Sequence, residues 1–330
     1  MKIVGSIQML KKIIVFIITI ANLYAINEVD PTFVYKASGG VTDLVANDGK
    51  LYVATQASSV DIFDIKTKKL IKKIKVPQIE DFVGDTIDAK VYNTDVFNKK
   101  VLLTVQDTSG FRELYIYDNK LTKLISKDES LYISKALFVD DTHIVFCTLG
   151  NIMYMYDIPT RKILWNIDIK APEAEFNSTF ADFVLDKTKS TAVVADESGD
   201  LKVVDIKTKQ ITKVLSGQNL DKVFKVDIKN NKIITAGQDR RCVVYNLSTG
   251  SSYYMSVDFL IYAAGLNTDA TLGAYSSDEQ NNVIVFDTNT KQKLYKLKKN
   301  LMTLTSILFI NDKEVFVSTD SNKFNYYKLK

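Results

Sequence analysis

Residues 201–215 read LKVVDIKTKQITKVL: an apolar strand, then Asp205, two residues, Thr208, and a second strand rich in Lys and β-branched residues. The same cassette returns as DIFDIKTKKLIKKIKV from Asp61, MYMYDIPTRKILWNIDI from Met153, CVVYNLSTGSSYYMSV from Cys242 and VIVFDTNTKQKLYKLK from Val283, with a looser copy, LYIYDNKLTKLI, from Leu114. Asp205, Asn246 and Asp287 fall 41 residues apart, and the other copies keep a period near forty. A repeat of that length with four short strands is the pattern of a β-propeller blade, not of a solenoid or a sandwich. The Asp-x-x-Thr step belongs at the turn between the third and fourth strands, C and D. There the Asp can accept exposed backbone N–H groups and the Thr can close the reversal. This row of carboxylates reads as structure rather than chemistry.

Working outward, the blades are expected at Val41–Val76, about Asp81–Ser126, Leu131–Ile169, Thr179–Leu215, Val223–Val257 and Phe259–Leu297. The remainder, from Leu304 to Lys330, supplies only strands A to C of a seventh. Thr32–Ser38 (TFVYKAS), fenced by Pro31 and Gly39-Gly40, is a spare extended segment. Paired beside Lys323–Lys330 it would complete the seventh sheet and leave no open radial edge. The fold class expected is therefore all-β, a seven-bladed propeller over residues 26–330 closed by an N-terminal strand. The most continuously apolar strands are LYVAT, VLLTV, HIVFC, TAVVA, KIITA, TLGAY and EVFVS. They end in Ala, Ser, Thr or Cys and are read here as the inner strands around the shaft.

Residues 1–25 read as a leader. Lys2, Lys11 and Lys12 precede an apolar run from Ile13 to Leu23, and a small residue, Ala25, stands before the polar Asn27-Glu28. That order is a secretory signal peptide, and the run is short of the roughly 20 residues that span a bilayer. A periplasmic location with no membrane span after cleavage is expected. Three of the 43 Lys and Arg fall in the leader, so the rest of the chain nearly balances its 39 acids. Nothing in that balance points to nucleic acid. Cys147 and Cys242, two repeats apart, are too far separated for a disulfide and are expected as buried free thiols.

Catalytic signatures are sparse. His143 is the only histidine, beside the apolar run Ile144–Phe146 at a strand start, so no two-His metal site exists and no Cys-x-x-Cys-His haem motif occurs. No Gly-rich phosphate loop or Gly-x-Ser-x-Gly elbow is present. No enzyme activity, cofactor or metal is expected, and a monomer is expected when the protein is alone. A carboxylate-dependent propeller hydrolase or lactonase would need acids converging in the shaft. The Ala, Thr and Ser of the strands read as inner speak against that.

Protein contact is the better reading, because the B–C and D–A loops of a propeller share one face. The candidates on those loops are Glu80, Asp81 and Phe82; Phe111 and Arg112; Glu173, Glu175 and Phe176; Arg240 and Arg241; and Asp278 and Glu279. Aromatic and Arg side chains beside charges on loops are suited to an interface.

The cassettes resemble WD repeats, with the terminal dipeptide as Tyr-Asp, Phe-Asp, Val-Asp or Tyr-Asn. AGQDRRCVVYNLSTG, from Ala236 to Gly250, is most similar to that family's pattern. Asp239, with Asp196 and Asp320, holds the place of its structural Asp, while the family's Gly-His pair and Trp are missing. Trp165 in DIPTRKILW also resembles the quinoprotein-like repeats, in one blade only. Over most of its length the chain resembles the NapL-type periplasmic WD-repeat proteins that accompany epsilonproteobacterial nitrate reductase. It shares with them a leader ending Leu-Tyr-Ala, a composition heavy in Lys, Ile and Asn, and seven weak repeats. That resemblance implies an accessory role in maturation of, or electron supply to, the molybdenum-containing periplasmic nitrate reductase; it does not imply that this chain itself binds molybdenum or haem. A generic scaffold similar to outer-membrane assembly propellers is the alternative, although its lipobox Cys and eight blades are missing here.

Overall fold

Five of the six copies of the cassette close in the same way; the looser copy turns directly at Asn119, between Asp118 and Lys120. The Asp64 carboxylate accepts the Thr67 N–H at 2.6 Å and the Thr67 hydroxyl at 2.7 Å. Asp157, Asp205, Asn246 and Asp287 take the N–H of Thr160, Thr208, Thr249 and Thr290 at 2.6–2.9 Å. The residue after each Thr is left-handed: Lys68, Arg161, Lys209, Gly250 and Lys291 have φ between 56° and 75°. In the computed structural model, which describes residues 26–171 and 173–330, these turns join the third and fourth strands of successive four-stranded antiparallel sheets. The expected leader, residues 1–25, lies outside the described residues.

Seven such sheets form a seven-bladed β-propeller. Blade one is Val41–Asn47, Lys50–Thr55, Ser59–Asp64 and Leu70–Lys75, each strand pairing with the next. Strand A of blades two to seven is Val91–Phe97, Ile133–Phe138, Phe180–Leu185, Val223–Lys229, Ala264–Leu266 and Leu304–Asn311. The core is not one mass but seven apolar layers, one between each pair of neighbouring blades. Burial is thus repeated around the ring, and each blade depends on both neighbours for its apolar faces.

The layer between blades seven and one carries the closure. Phe33–Lys36 pairs antiparallel with Lys323–Lys328, Tyr35 opposite Phe324. The Tyr35 ring stacks on Phe324 at 5.0 Å and meets Phe63 of blade one edge-on at 5.3 Å. A Cβ on Gly40, in the link into blade one, would strike the Asp320 carbonyl oxygen, so only glycine fits there.

Three features depart from the sequence reading. Blade two begins at Val91, and the residues before it form a separate ribbon, Ile79–Glu80 against Thr86–Ile87, whose tip turns at Gly84 with φ 91°. Asn27–Val29 adds a fifth strand to blade six, parallel to Lys293–Leu297 and held by Lys298–Glu28 and Lys299–Asp30 at 2.6 Å. The strands read as inner are the second strands, buried in mid-blade. The first strands face the axis, where each touches the first strands of its neighbours.

Candidate functional site

Alternating antiparallel strands send every B–C and D–A loop to one end of the ring and every A–B and C–D turn to the other. The loops named from the sequence therefore share a face, but they do not converge on one pocket. Phe82 stands at the tip of the extra ribbon, 97% exposed, on a turn closed by Asp81, whose Oδ1 accepts the Val83 and Asp85 N–H groups. Glu80 is exposed on the same ribbon. Phe176 is 76% exposed in the link between blades three and four, with Glu173 and Glu175 exposed beside it. Arg240 is exposed, and Glu279 likewise.

The remaining candidates are engaged within the protein. Phe111 stacks on Tyr132 at 4.3 Å, and the Arg112 guanidinium lies 3.7 Å over Tyr92 while donating to the Ser134 carbonyl at 2.5 Å. The Phe111–Tyr132 and Arg112–Ser134 contacts sew blade two to blade three, and burial pulls the Arg112 pKa below its ordinary value. Arg241 donates to the Gln218 carbonyl at 2.8 Å and lies over Tyr254. Asp278 accepts the Asn282 N–H at 3.0 Å, and Lys296 stands 3.4 Å away. With Glu279 and Phe259, Asp278 borders a hollow of about 490 Å³ between blades five and six.

Reading single loops missed how the apolar residues are distributed. Of the sixteen large apolar side chains exposed among the described residues, nine lie in the B–C and D–A connections. Tyr132, Leu149, Leu220, Leu301 and Met302 join Phe82 and Phe176 there. The other seven lie on the fourth strands at the outer edge of the ring, and none is on the A–B or C–D turns. Carboxylates also outnumber Lys and Arg in the connections of this face. The signal was present in the sequence as apolar residues inside otherwise polar links.

The structural aspartates wire this same face together. Asp239 accepts the Leu220 N–H at 2.7 Å. Asp196 accepts the Asn151 amide of the preceding blade at 2.8 Å and pairs with Lys202 at 2.6 Å, both side chains buried. Cys147 and Cys242 are free and buried, as expected. His143 bonds Asp140 at 2.9 Å on an A–B turn.

The shaft differs from expectation because the first strands carry the charges. Asp43, Asp95, Asp182 and Asp227 line it with Lys135, Lys189, Lys225 and Lys229, around a cavity of about 440 Å³. Each of these aspartates accepts a backbone N–H from the first strand of the next blade: Thr94, Phe138, Val226 and Leu266, at 2.8–3.1 Å. They are interblade staples. Burial raises the pKa of Asp43 and Asp95, against the opposing pull of Lys225 on the first and Lys189 on the second. The shaft is therefore not lined mainly by small residues; each of its four acids holds a backbone donor, and Asp95, Asp182 and Asp227 also stand beside a lysine. No group of three or more His, Cys, Asp or Glu suited to a metal ion occurs among the described residues.

No family model matches the chain, and no curated protein matches it. No helix of the described residues is long and apolar enough to cross a membrane.

Proposed function

We propose that this propeller is a non-enzymatic docking module of the periplasm, exported by its leader and holding a protein partner on the face of the B–C and D–A loops. The observation that carries this reading is the one-sided placement of exposed Phe82, Phe176, Leu220, Leu301 and Met302, with no counterpart on the opposite turns. Apolar side chains rimmed by charge mark interaction surfaces. The excess of carboxylates around them suits a partner that presents basic and apolar side chains. The resemblance to accessory propellers of nitrate respiration gives that partner a specific candidate, the periplasmic nitrate reductase or a protein of its assembly.

Two measurements test the two levels of this reading. Nitrate reductase should co-purify with the tagged protein, and a Phe82→Ala, Phe176→Ala variant should recover at least tenfold less of it, as expected for loss of two interface aromatics. Equal recovery would remove the face from the proposal. A deletion strain should reduce nitrate more slowly in intact cells. Unchanged nitrate reduction would exclude the nitrate reductase assignment and leave the docking face to be judged by the variant alone.

A further inference from the structure

Six of the eight charges in the shaft are matched to one another. Lys135 meets Asp182 and Lys229 meets Asp227 at 2.7 Å, and Lys189 stands 4.0 Å from Asp95. Asp43 and Lys225 are the remainder. Asp43 takes the Leu44 and Thr94 N–H groups at 3.0 and 3.1 Å, but no cation stands within ion-pair distance of it among the described residues. Lys225 Nζ has neither a carboxylate nor a hydrogen-bond acceptor there. The two stand on blades one and five and border the same 440 Å³ cavity. Lys225 is the cation acting most strongly on Asp43, across the lumen rather than in contact with it.

A separated cation and anion on the wall of a partly dehydrated cavity set a requirement on whatever fills it. A ligand of one sign would satisfy one group and leave the other uncompensated, in a lumen whose fixed charges already sum to zero. A ligand carrying both signs satisfies both and keeps the balance. The volume is in the range of small-molecule sites.

We propose that the shaft binds a small zwitterion, its ammonium on Asp43 and its carboxylate on Lys225, as an amino acid or ω-amino acid would present them. The cavity runs along the first strands, from Ala263 and Thr305 near their loop ends to Leu185 and Ile310 near the A–B turns, with Lys189 on one of those turns. The site is inside the ring and shares no residue with the exposed apolar loops, so neither proposal rests on the other.

Isothermal titration calorimetry of the purified protein tests it with a series of increasing charge separation: glycine, γ-aminobutyrate and 6-aminohexanoate. Acetate and methylammonium serve as single-charge controls. One or more of the zwitterions should bind at low-millimolar or lower concentration, and the controls should not. Asp43→Asn keeps an oxygen for the Thr94 N–H, and Lys225→Met keeps the apolar stem. Each should weaken binding about tenfold, the size of one charge-assisted hydrogen bond, with circular dichroism unchanged. Silence from the whole series overturns the proposal. So does acetate or methylammonium binding as tightly as the zwitterions, or full binding by both folded variants.

Discussion

The molecule uses aspartate twice for the same task, in two settings that differ in almost everything else. At the C–D turns Asp64, Asp157 and Asp205 accept N–H groups three residues ahead, at the molecular surface. In the shaft Asp43 and Asp95 accept N–H groups from the next blade, more than forty residues on. The turn carboxyls are held below the ordinary Asp value. For Asp64 and Asp205 the Thr67 and Thr208 N–H donors are the largest cause, and for Asp157 it is the Thr160 hydroxyl. Asp43 and Asp95 are raised, because burial outweighs donors of the same kind. A hydrogen bond alone does not set the acidity of a group; the solvent it displaces decides the sign. Local closure is nearly free of that penalty, while joining one blade to the next is not.

The sharpest way to break this contrast is to remove a shaft acid. Asp182→Ala strands Lys135, which Asp182 holds at 2.7 Å, and deprives the Val226 N–H of its acceptor. It should cost about 3 kcal/mol in urea unfolding, as for other broken buried pairs. A loss below about 1 kcal/mol would mean that the shaft is wet enough to ignore its pairing. An intermediate effect comes from pH. Carboxyl-carbon NMR titration should place Asp64, Asp157 and Asp205 below 3.8 and Asp43 and Asp95 above it. The signs for stability then oppose each other. The turn carboxylates contribute stability that is complete above the unfolded value of about 3.9 and is lost as pH falls through their lower folded values. The shaft pair costs stability at neutral pH, a cost relieved as pH falls through its raised folded values. An Asp43→Asn, Asp95→Asn variant should therefore be more stable than wild type at pH 7 and lose that advantage toward pH 4. A constant difference across that range would refute the assignment. The smallest effect lies at the turns, where Lys209 has φ 61°. Lys209→Gly should raise stability by ~0.5 kcal/mol, since glycine enters the left-handed region without a Cβ penalty although it frees the unfolded chain.

The same contrast explains what the sequence could and could not reveal. The Asp205–Thr208 turn lies inside one repeat, so its letters recur together and the blades are countable from them. The closing strand was legible because Thr32–Ser38 is a spare extended segment between Pro31 and Gly39-Gly40 while the last blade lacks a fourth strand. Asn27–Val29 was not, since three residues with two polar side chains carry no period. The shaft strands were misread for a physical reason. The second strand of each blade has paired neighbours on both sides and other blades above and below, so KLYVAT and TAVVAD are the most apolar. The first strand has one edge bare to the lumen and tolerates charge, so VTDLVAN and VFKVDIK look peripheral. Greatest burial does not coincide with the axis. Apart from Phe82 and Phe176, the exposed apolar residues of the B–C and D–A face escaped notice because the nine of them are spread over six separate links.

The clasp between Phe33–Lys36 and Lys323–Lys328 also imposes a timetable. Phe33–Lys36 is made early and must wait for Lys323–Lys328, an interval on the order of tens of seconds at about 5–20 residues per second of synthesis. Throughout it Tyr35 has no Phe324 to stack on and the ring stands open at one side. A nascent chain of this kind can assemble blades as they appear, but it becomes a finished disc only when its final residues arrive.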